Sequence, residues 1–529
     1  MNRFSLNYLH KIDSIYRAGN GSLSIDPGEP IINILFLKKY LHCIKCTVVV
    51  TFYYTINMAR RNYTYFDFTL SICSSCLNRV DAKVIFQNDH VYLLKNCPEH
   101  GREKTLIATD IGYYKKTRNY LKPSDVPLKF DRDVHYGCPY DCGLCTDHEQ
   151  HSCVSIVEVT DRCNLTCPTC YASSSPTYGR HRTIDEVKTM LDIVVANEGE
   201  PDIVQLSGGE PTIHPQFFEI LEYAKKLPIR HIMINTNGIR IANDVDFIGR
   251  LQEYMPGIEV YLQFDSFKPQ VLEKLRGKDL SVKRSQALER LNEHNIHTSL
   301  VVTVERGQNN DEIGQIIDFA LQQDCVRGVT FQPTQFAGRV DNFDPKKNKY
   351  TLTEVRQDIL DQTNIFQDND IIPVPCNPDA LAMAYALKLD GKVFPLTHMV
   401  DPDIFLNNTR NTILLEQEKD LQQEMLKVFS TSQTGETLAG NLQTLLCCLP
   451  KFSAPGLSYE NIFRVIILKF MDAHDFDVRS VKKSCVQIVS KNGHMIPFET
   501  MNLLYRDEKV NRLDKIKENI SNSKMSVYA

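Results

Sequence analysis

Residues 155–171 read Ser155-Ile-Val-Glu-Val-Thr-Asp-Arg-Cys163-Asn-Leu-Thr-Cys167-Pro-Thr-Cys170-Tyr171. The opening Ser155–Thr160 is rich in Val, Ile and Thr, as buried parallel strands are. It runs without a spacer into a CxxxCxxC loop with an aromatic residue directly after it. Five further strand-like runs follow: Asp202–Leu206, His231–Asn235, Glu259–Phe264, Ser299–Val304 and Gly328–Gln332. Helical patterns lie between them. Thr183 and Glu186 make a capping box, and Ile184, Val187, Leu191 and Val194 share one face up to Gly199. Phe217–Leu227, Asp244–Tyr254, Lys283–Asn295 and Asp311–Gln323 continue the alternation. Six strand–helix units predict an α/β fold with a parallel sheet, open or curled into a partial barrel. Its site is expected at the carboxyl ends of the strands.

Three thiolates on one tight loop can hold three corners of a cubane 4Fe–4S cluster and leave the fourth iron open. An open iron can take an amine and a carboxylate, and S-adenosylmethionine carries both on its methionyl end. Electron transfer into the sulfonium would release a 5′-deoxyadenosyl radical, while the protein orients the cofactors and excludes water. Later strand ends supply further candidates. Ser207-Gly208-Gly209-Glu210-Pro211 offers two glycines for close backbone approach to a ligand and a carboxylate, Glu210, for an ammonium. Asn235-Thr-Asn237-Gly238 and Phe264-Asp265-Ser266 end the next two strands, and Asp265 and Ser266 suit ribose hydroxyls. The competing reading of Cys163, Cys167 and Cys170 is a zinc knuckle, although zinc sites want four ligands. Taken singly, Gly208–Pro211 could be an ordinary turn, and Asn237 or Asp265 ordinary polar residues.

The chain has 17 Cys in 529 residues, and twelve lie between positions 43 and 170. A chain of this length needs no disulfides to hold a core, and no secretory signal opens it, so clustered thiols point to metal in a reducing cytosol. Cys138, Cys142, Cys145 and Cys153 could make a closed 4Fe–4S site, a four-thiolate zinc site, or a three-thiol site with a remote ligand and Cys153 as bystander. His148 and His151 lie beside them. Cys73, Cys76, Cys97 and His100 have the spacing of a structural zinc site or a rubredoxin-like iron, around a strand–turn–strand at 81–94. Cys376, the pair Cys447-Cys448 and Cys485 could meet as a third cluster or be buried small hydrophobes. Cys325 reads as core.

Composition bounds the rest. Apolar residues make up 42 %, charged residues 24 %, and net charge is −5, which suits a globular chain and argues for no nucleic-acid partner. No run of 18 apolar residues occurs. Residues 1–57 look unlike the remainder and are expected to be a poorly ordered leader or an extended gene start; Cys43 and Cys46 fall there. The expected units are then 58–130 with the Cys73 knuckle, 131–340 with the barrel, and 341–529 as a C-terminal α/β region. Asp341–Lys349 reads as a polar linker, and the chain from Tyr505 onward as a fraying charged tail.

The barrel motifs strongly resemble the radical S-adenosylmethionine superfamily over residues 150–340. With Gly137–Cys145, the Cys73 knuckle, Pro375-Cys376, Cys447-Cys448 and Phe463-Arg464…Asp472, the stretch from Met58 to Arg506 is similar to the tetraether lipid synthase-like family. Relatives in that family are also described as pterin methyltransferases. The resemblance implies a partial (β/α)6 TIM-like barrel and a cluster on Cys163, Cys167 and Cys170. It implies cofactor contacts at Tyr171, Gly208–Pro211, Asn237, Asp265 and Ser266, and one or two auxiliary clusters. Reduced flavodoxin or ferredoxin would supply the electron. The implied reaction is hydrogen abstraction from an unactivated carbon, then carbon–carbon bond formation on a lipid chain; the alternative is methylation of a small heterocycle such as a pterin. A non-catalytic iron–sulfur or zinc scaffold is the third reading. The compartment implied is cytoplasmic, with a membrane surface left open for a lipid substrate.

Overall fold

The described chain opens with four antiparallel strands in sequential order: β1 Thr64–Ile72, β2 Arg79–Gln87, β3 His90–Cys97 and β4 Gly101–Ala108. Asn88 and Asp89 turn the β2–β3 hairpin with φ of 51° and 59°, the left-handed conformation that short hairpin loops demand. The sequence shows the inner two strands. The outer two escape it because Asp67 and the run Arg102-Glu103-Lys104 hide their alternation.

The barrel is built from β5 Val154–Thr160, β7 Ile203–Gly208, β8 His231–Thr236, β9 Ile258–Gln263, β10 Thr298–Val304 and β11 Val326–Pro333, all parallel and neighbours in that order. Each lies within two residues of its expected range. Two-residue strands β6 Thr169–Cys170 and β12 Arg339–Val340 pair with each other beside the cysteine loop. Every residue of β5 is buried, as a strand covered on both faces requires. The Thr183 capping box is formed: the Thr183 hydroxyl accepts from Glu186 N, and Thr183 N donates to the Glu186 carboxylate at 2.8 Å.

The C-terminal region continues this sheet. It supplies β13 Ile372–Pro373, β14 Leu381–Leu389, β15 Lys392–Pro395, β16 Ile462–Leu468, β17 Val486–Val489 and β18 Met495–Pro497. β16 runs parallel to β11, with Gly328 opposite Arg464, and so becomes a seventh parallel strand. β17 runs parallel to the free edge of β5, with Val486 opposite Val154. A Cβ on Gly328 would stand 2.5 Å from the Arg464 carbonyl oxygen, so the close approach of β16 requires glycine there.

This computed structural model describes residues 61–120, 126–341, 343–389, 392–398, 461–507 and 509–528. The leader 1–57, Cys43, Cys46, Cys447 and Cys448 lie outside the described residues. Two expectations change. The polar stretch 341–349 ends in a buried anchor, with Lys349 Nζ 2.8 Å from Asp472 and 2.6 Å from Asp475. The charged tail is a helix, Lys509–Tyr528, not a frayed end. Leu513, Ile516 and Ile520 recur at helical spacing and pack on the core, a pattern that charge density hides. Among the described residues no helix is long and apolar enough to cross a membrane.

Candidate active site and thiol clusters

The cysteine loop is held from two sides, by backbone at the end of β7 and by the Arg339 side chain. Gly209 N donates to Thr160 O at 2.8 Å, and Glu210 N to Arg162 O at 2.9 Å. A Cβ at Gly208 would lie 2.1 Å from Thr160 O, and one at Gly209 would lie 2.1 Å from Arg162 O. Gly208 also has φ +123°. The glycines therefore let the end of β7 touch the cysteine loop itself. Arg339 closes the other side, donating to the carbonyls of Cys167 at 2.5 Å, Ser173 at 3.2 Å and Ser174 at 2.7 Å. Cys163 and Cys167 are buried and Cys170 half-buried. All three line one cavity at the carboxyl ends of the strands, together with Tyr171, Gly208, Gly209 and Asn237. Burial, and then the Glu210 charge, push the Cys163 thiol up to about 12.

Three expected ligand contacts, Glu210, Asp265 and Ser266, are not among the residues that line that cavity. Glu210 is buried, with its carboxylate accepting from Thr212 N at 3.1 Å, Thr212 Oγ1 at 2.6 Å, Thr236 Oγ1 at 2.7 Å and Asn237 N at 2.8 Å. It ties the end of β7 to the end of β8. Burial raises its pKa despite these donors. Asp265 accepts from Arg276 Nε at 2.8 Å, Arg276 Nη2 at 2.7 Å, Arg284 Nη2 at 2.5 Å and Thr303 N at 3.1 Å. Against burial, the two guanidiniums hold its carboxyl far below the usual range. Ser266 donates to Glu312. These bonds tie the strand ends to one another around the site. Pro211 is likewise buried, starting a short turn behind the strand end.

Sequence reasoning missed Arg276. It ends a helix, Pro269–Arg276, that follows the β9 end. Held by Asp265, it lines the cavity beside Cys167, whose thiol is pushed up by burial against the opposing pull of the Arg276 charge. A charged residue ten positions beyond Ser266 and 106 beyond Cys170 gives no local signal. The loop thus combines three thiols facing one cavity with an adjacent fixed cation, a donor set that fits a negatively charged cluster with one open corner.

The cavity has two walls, each of mixed polarity: Val154, Ile156, Met233 and Val301 lie among the barrel residues and Arg464 on the C-terminal side. Barrel strands contribute Gln205, Asn235, Tyr261, Gln263, Thr303 and Gln332. The C-terminal side contributes Leu381, Ile466, Leu468, Phe470 and Phe498. The rings of Phe470 and Phe498 stack with centroids 3.9 Å apart, and Tyr171 packs on Phe498 at 4.9 Å.

The other thiols regroup. Cys73, Cys76, Cys97 and His100 bring their ligand atoms within 4.8 Å of one another, as their spacing suggests. Cys153, Cys376 and Cys485 do the same from three separate segments. Cys153 precedes β5 and Cys485 precedes β17, so the β5–β17 pairing brings those two together. Cys153 therefore departs from the expected set with Cys138, Cys142 and Cys145, and joins residues 223 and 332 positions further along. A short spacing in sequence could not show this. Cys138 and Cys142 hydrogen-bond each other in the remaining three-thiol loop. His151 Nε2 lies 3.7 Å from Cys153 Sγ, whereas His148 faces the Ser484 carbonyl at 2.9 Å and is pushed down to about 4 by burial. Cys325 is core.

Residues 157–320 match the Radical SAM superfamily, and residues 65–109 match the HMPTM N-terminal zinc ribbon domain. Residues 157–320 thus carry a radical S-adenosylmethionine domain, and the protein is an enzyme of radical chemistry. Its cofactors are a 4Fe–4S cluster and S-adenosylmethionine, and its further thiol groups suit auxiliary clusters or zinc. Among relatives, a 7,8-dihydro-6-hydroxymethylpterin dimethyltransferase of Methanocaldococcus jannaschii is 28 % identical over 479 residues, covering 83 % of this chain and 94 % of its own length. A GTP 3′,8-cyclase of Chlorobaculum tepidum is 28 % identical over 180 residues, covering 34 % of this chain and 53 % of its own. The crystal structure of Streptococcus suis SuiB bound to S-adenosylmethionine overlays 39 % of this chain and 46 % of its own, at 17 % identity and a TM-score of 0.33.

Proposed function

We propose that this enzyme methylates a small planar nitrogen heterocycle of the pterin type. The observation that carries this reading is the two-walled cavity. A flat heterocycle has apolar faces for Phe470 and Phe498 and a polar edge for the amides that also line the cavity. A saturated lipid chain would leave the buried Gln335 Oε1 without a donor, at a cost of about 1–3 kcal/mol. The M. jannaschii relative, a 7,8-dihydro-6-hydroxymethylpterin dimethyltransferase, points the same way.

In this reading Cys163, Cys167 and Cys170 hold the cluster, and Tyr171, Gly208, Gly209 and Asn237 border S-adenosylmethionine. The cluster and S-adenosylmethionine together supply a carbon radical able to take hydrogen from carbon. The remaining work belongs to side chains. Arg276 offsets thiolate charge and can receive a carboxylate. Asp265 positions Arg276. Glu210 positions Asn237 and fixes β7 against β8. Cys73, Cys76, Cys97 and His100 hold one structural zinc or iron. Cys138, Cys142 and Cys145 form one auxiliary site, and Cys153, Cys376 and Cys485 another. Reduced flavodoxin or ferredoxin supplies the electron.

Protein reconstituted without oxygen and given dithionite, S-adenosylmethionine and 7,8-dihydro-6-hydroxymethylpterin is expected to release methylated pterin, 5′-deoxyadenosine and S-adenosylhomocysteine. The second reading, carbon–carbon coupling on a lipid chain in the manner of the tetraether lipid synthase-like family, is favoured by the apolar side chains of that cavity. It would give 5′-deoxyadenosine without S-adenosylhomocysteine. A colourless zinc protein that cleaves no S-adenosylmethionine would defeat both.

A further inference from the structure

Neighbouring strands carry polar side chains across the barrel interior. Glu158 stands opposite Ser207, Asn235 opposite Tyr261, and Tyr261 opposite Ser299. The amides above this row are oriented by their own N–H groups. Asn235 Nδ2 donates to Ser207 Oγ at 3.1 Å, Gln263 Nε2 to Asn235 Oδ1 at 3.4 Å, and Gln332 Nε2 to Tyr261 Oη at 3.0 Å. Gln335, just beyond β11, donates from Nε2 to Met471 O at 2.6 Å. Asn235 Oδ1 is thereby taken by Gln263, which leaves the carbonyls of Gln263, Gln332 and Gln335 as the candidate acceptors. Gln335 Oε1 is buried and accepts from nothing among the described residues, although its side chain lines the cavity.

A buried amide oxygen without a donor is costly, so a cavity lined by Gln335, with the half-buried Gln263 and Gln332 beside it, selects a ligand that brings N–H groups. An aliphatic chain brings none. An amino-substituted, ring-N–H heterocycle brings several along one edge, and its apolar faces suit the Phe470–Phe498 pair that also lines the cavity. We infer that Gln263, Gln332 and Gln335 are the specificity-determining acceptors for the N–H edge of a 2-amino-4-oxo heterocycle. The inference rests on the heterocycle reading above. The adenine of S-adenosylmethionine has donors of the same kind, so the test separates the two ligands.

The measurement is equilibrium dialysis of 7,8-dihydro-6-hydroxymethylpterin against anaerobically reconstituted full-length enzyme, with Gln263→Leu and Gln335→Met as variants. Electron paramagnetic resonance of the cluster, with and without S-adenosylmethionine, is read in parallel. The expected result is pterin binding weakened about tenfold in each variant, the effect of about one lost hydrogen bond, with the S-adenosylmethionine-dependent spectral change still present. Equal pterin affinity in both variants overturns the inference. So does retained pterin binding with a lost spectral change, which would assign the amides to adenine. If one variant binds neither ligand it has lost its fold, and the other decides. Absence of pterin binding by the unsubstituted enzyme sinks the substrate reading itself, and that failure is visible before any variant is made.

Discussion

A methyl group at Gly208 or Gly209 would fall inside the van der Waals radius of a backbone oxygen, with no flexible side chain available to yield. Gly208→Ala or Gly209→Ala is therefore expected to displace the cysteine loop and cut S-adenosylmethionine cleavage at least about tenfold, a shift a misplacement of about 1 Å can produce; 5′-deoxyadenosine yield per cluster checks it. Asp265→Asn removes a charge that two buried guanidiniums share. Its expected cost is about 3–5 kcal/mol, read from the denaturant midpoint, because Arg276 and Arg284 are left uncompensated. At this scale the sequence locates the right strand ends but not their partners. Glu210, Asp265 and Ser266 have the residue types of ligand contacts, and only tertiary packing shows that each is consumed by a neighbour. Arg276 is the reverse case, an ordinary helix residue until the fold sets it beside Cys167.

The ribbon of β1–β4 is clasped to the C-terminal region by a small charge network. Lys95 Nζ, buried, lies 3.0 Å from the Glu103 carboxylate and donates to Ala473 O at 2.8 Å, while His474 Nδ1 lies 2.8 Å from Glu103. Against a burial effect that raises it, His474 and Lys95 hold the Glu103 carboxyl down to about 2, below its ordinary 4.5. The folded pKa is the lower one, so the stabilisation is present above pH 4.5 and is lost as pH falls from there toward 2. Glu103 is a quarter exposed, so the contribution is on the order of 1 kcal/mol. The denaturant midpoint of Glu103→Gln is expected to start lower at pH 7 and to fall less steeply below pH 4.5 than that of the parent. Barrel strands and capped helices are legible at this scale because period and caps are local. The β1 and β4 edges and the Lys509–Tyr528 helix are not, since charged positions outnumber the apolar ones that dock them.

Across the whole molecule, β5 carries one thiol group at each end, Cys153 before its first residue and Cys163 after its last, separated by about 20 Å of extended chain. Replacing Cys163, Cys167 and Cys170 with Ala is expected to abolish 5′-deoxyadenosine formation while leaving iron elsewhere. Replacing Cys376 and Cys485 with Ala should remove a different share of iron and leave the S-adenosylmethionine-dependent resonance of the first site. Iron and sulfide counting with electron paramagnetic resonance checks both. The alternating fold class is readable from residues 155–332 alone. The regrouping of Cys153 with Cys376 and Cys485 is not, because it depends on a pairing between strands more than 300 residues apart.

That pairing bears on the birth of the protein. Both β16, beside β11, and β17, beside β5, are translated after every other barrel strand. While the ribosome is still reading the message, the nascent half-barrel shows two raw apolar borders, and loop-closure entropy over such distances delays their covering. Cells making this enzyme must shield an unfinished sheet until the last tenth of the polypeptide emerges, and any prematurely terminated product is condemned to stick to its own kind.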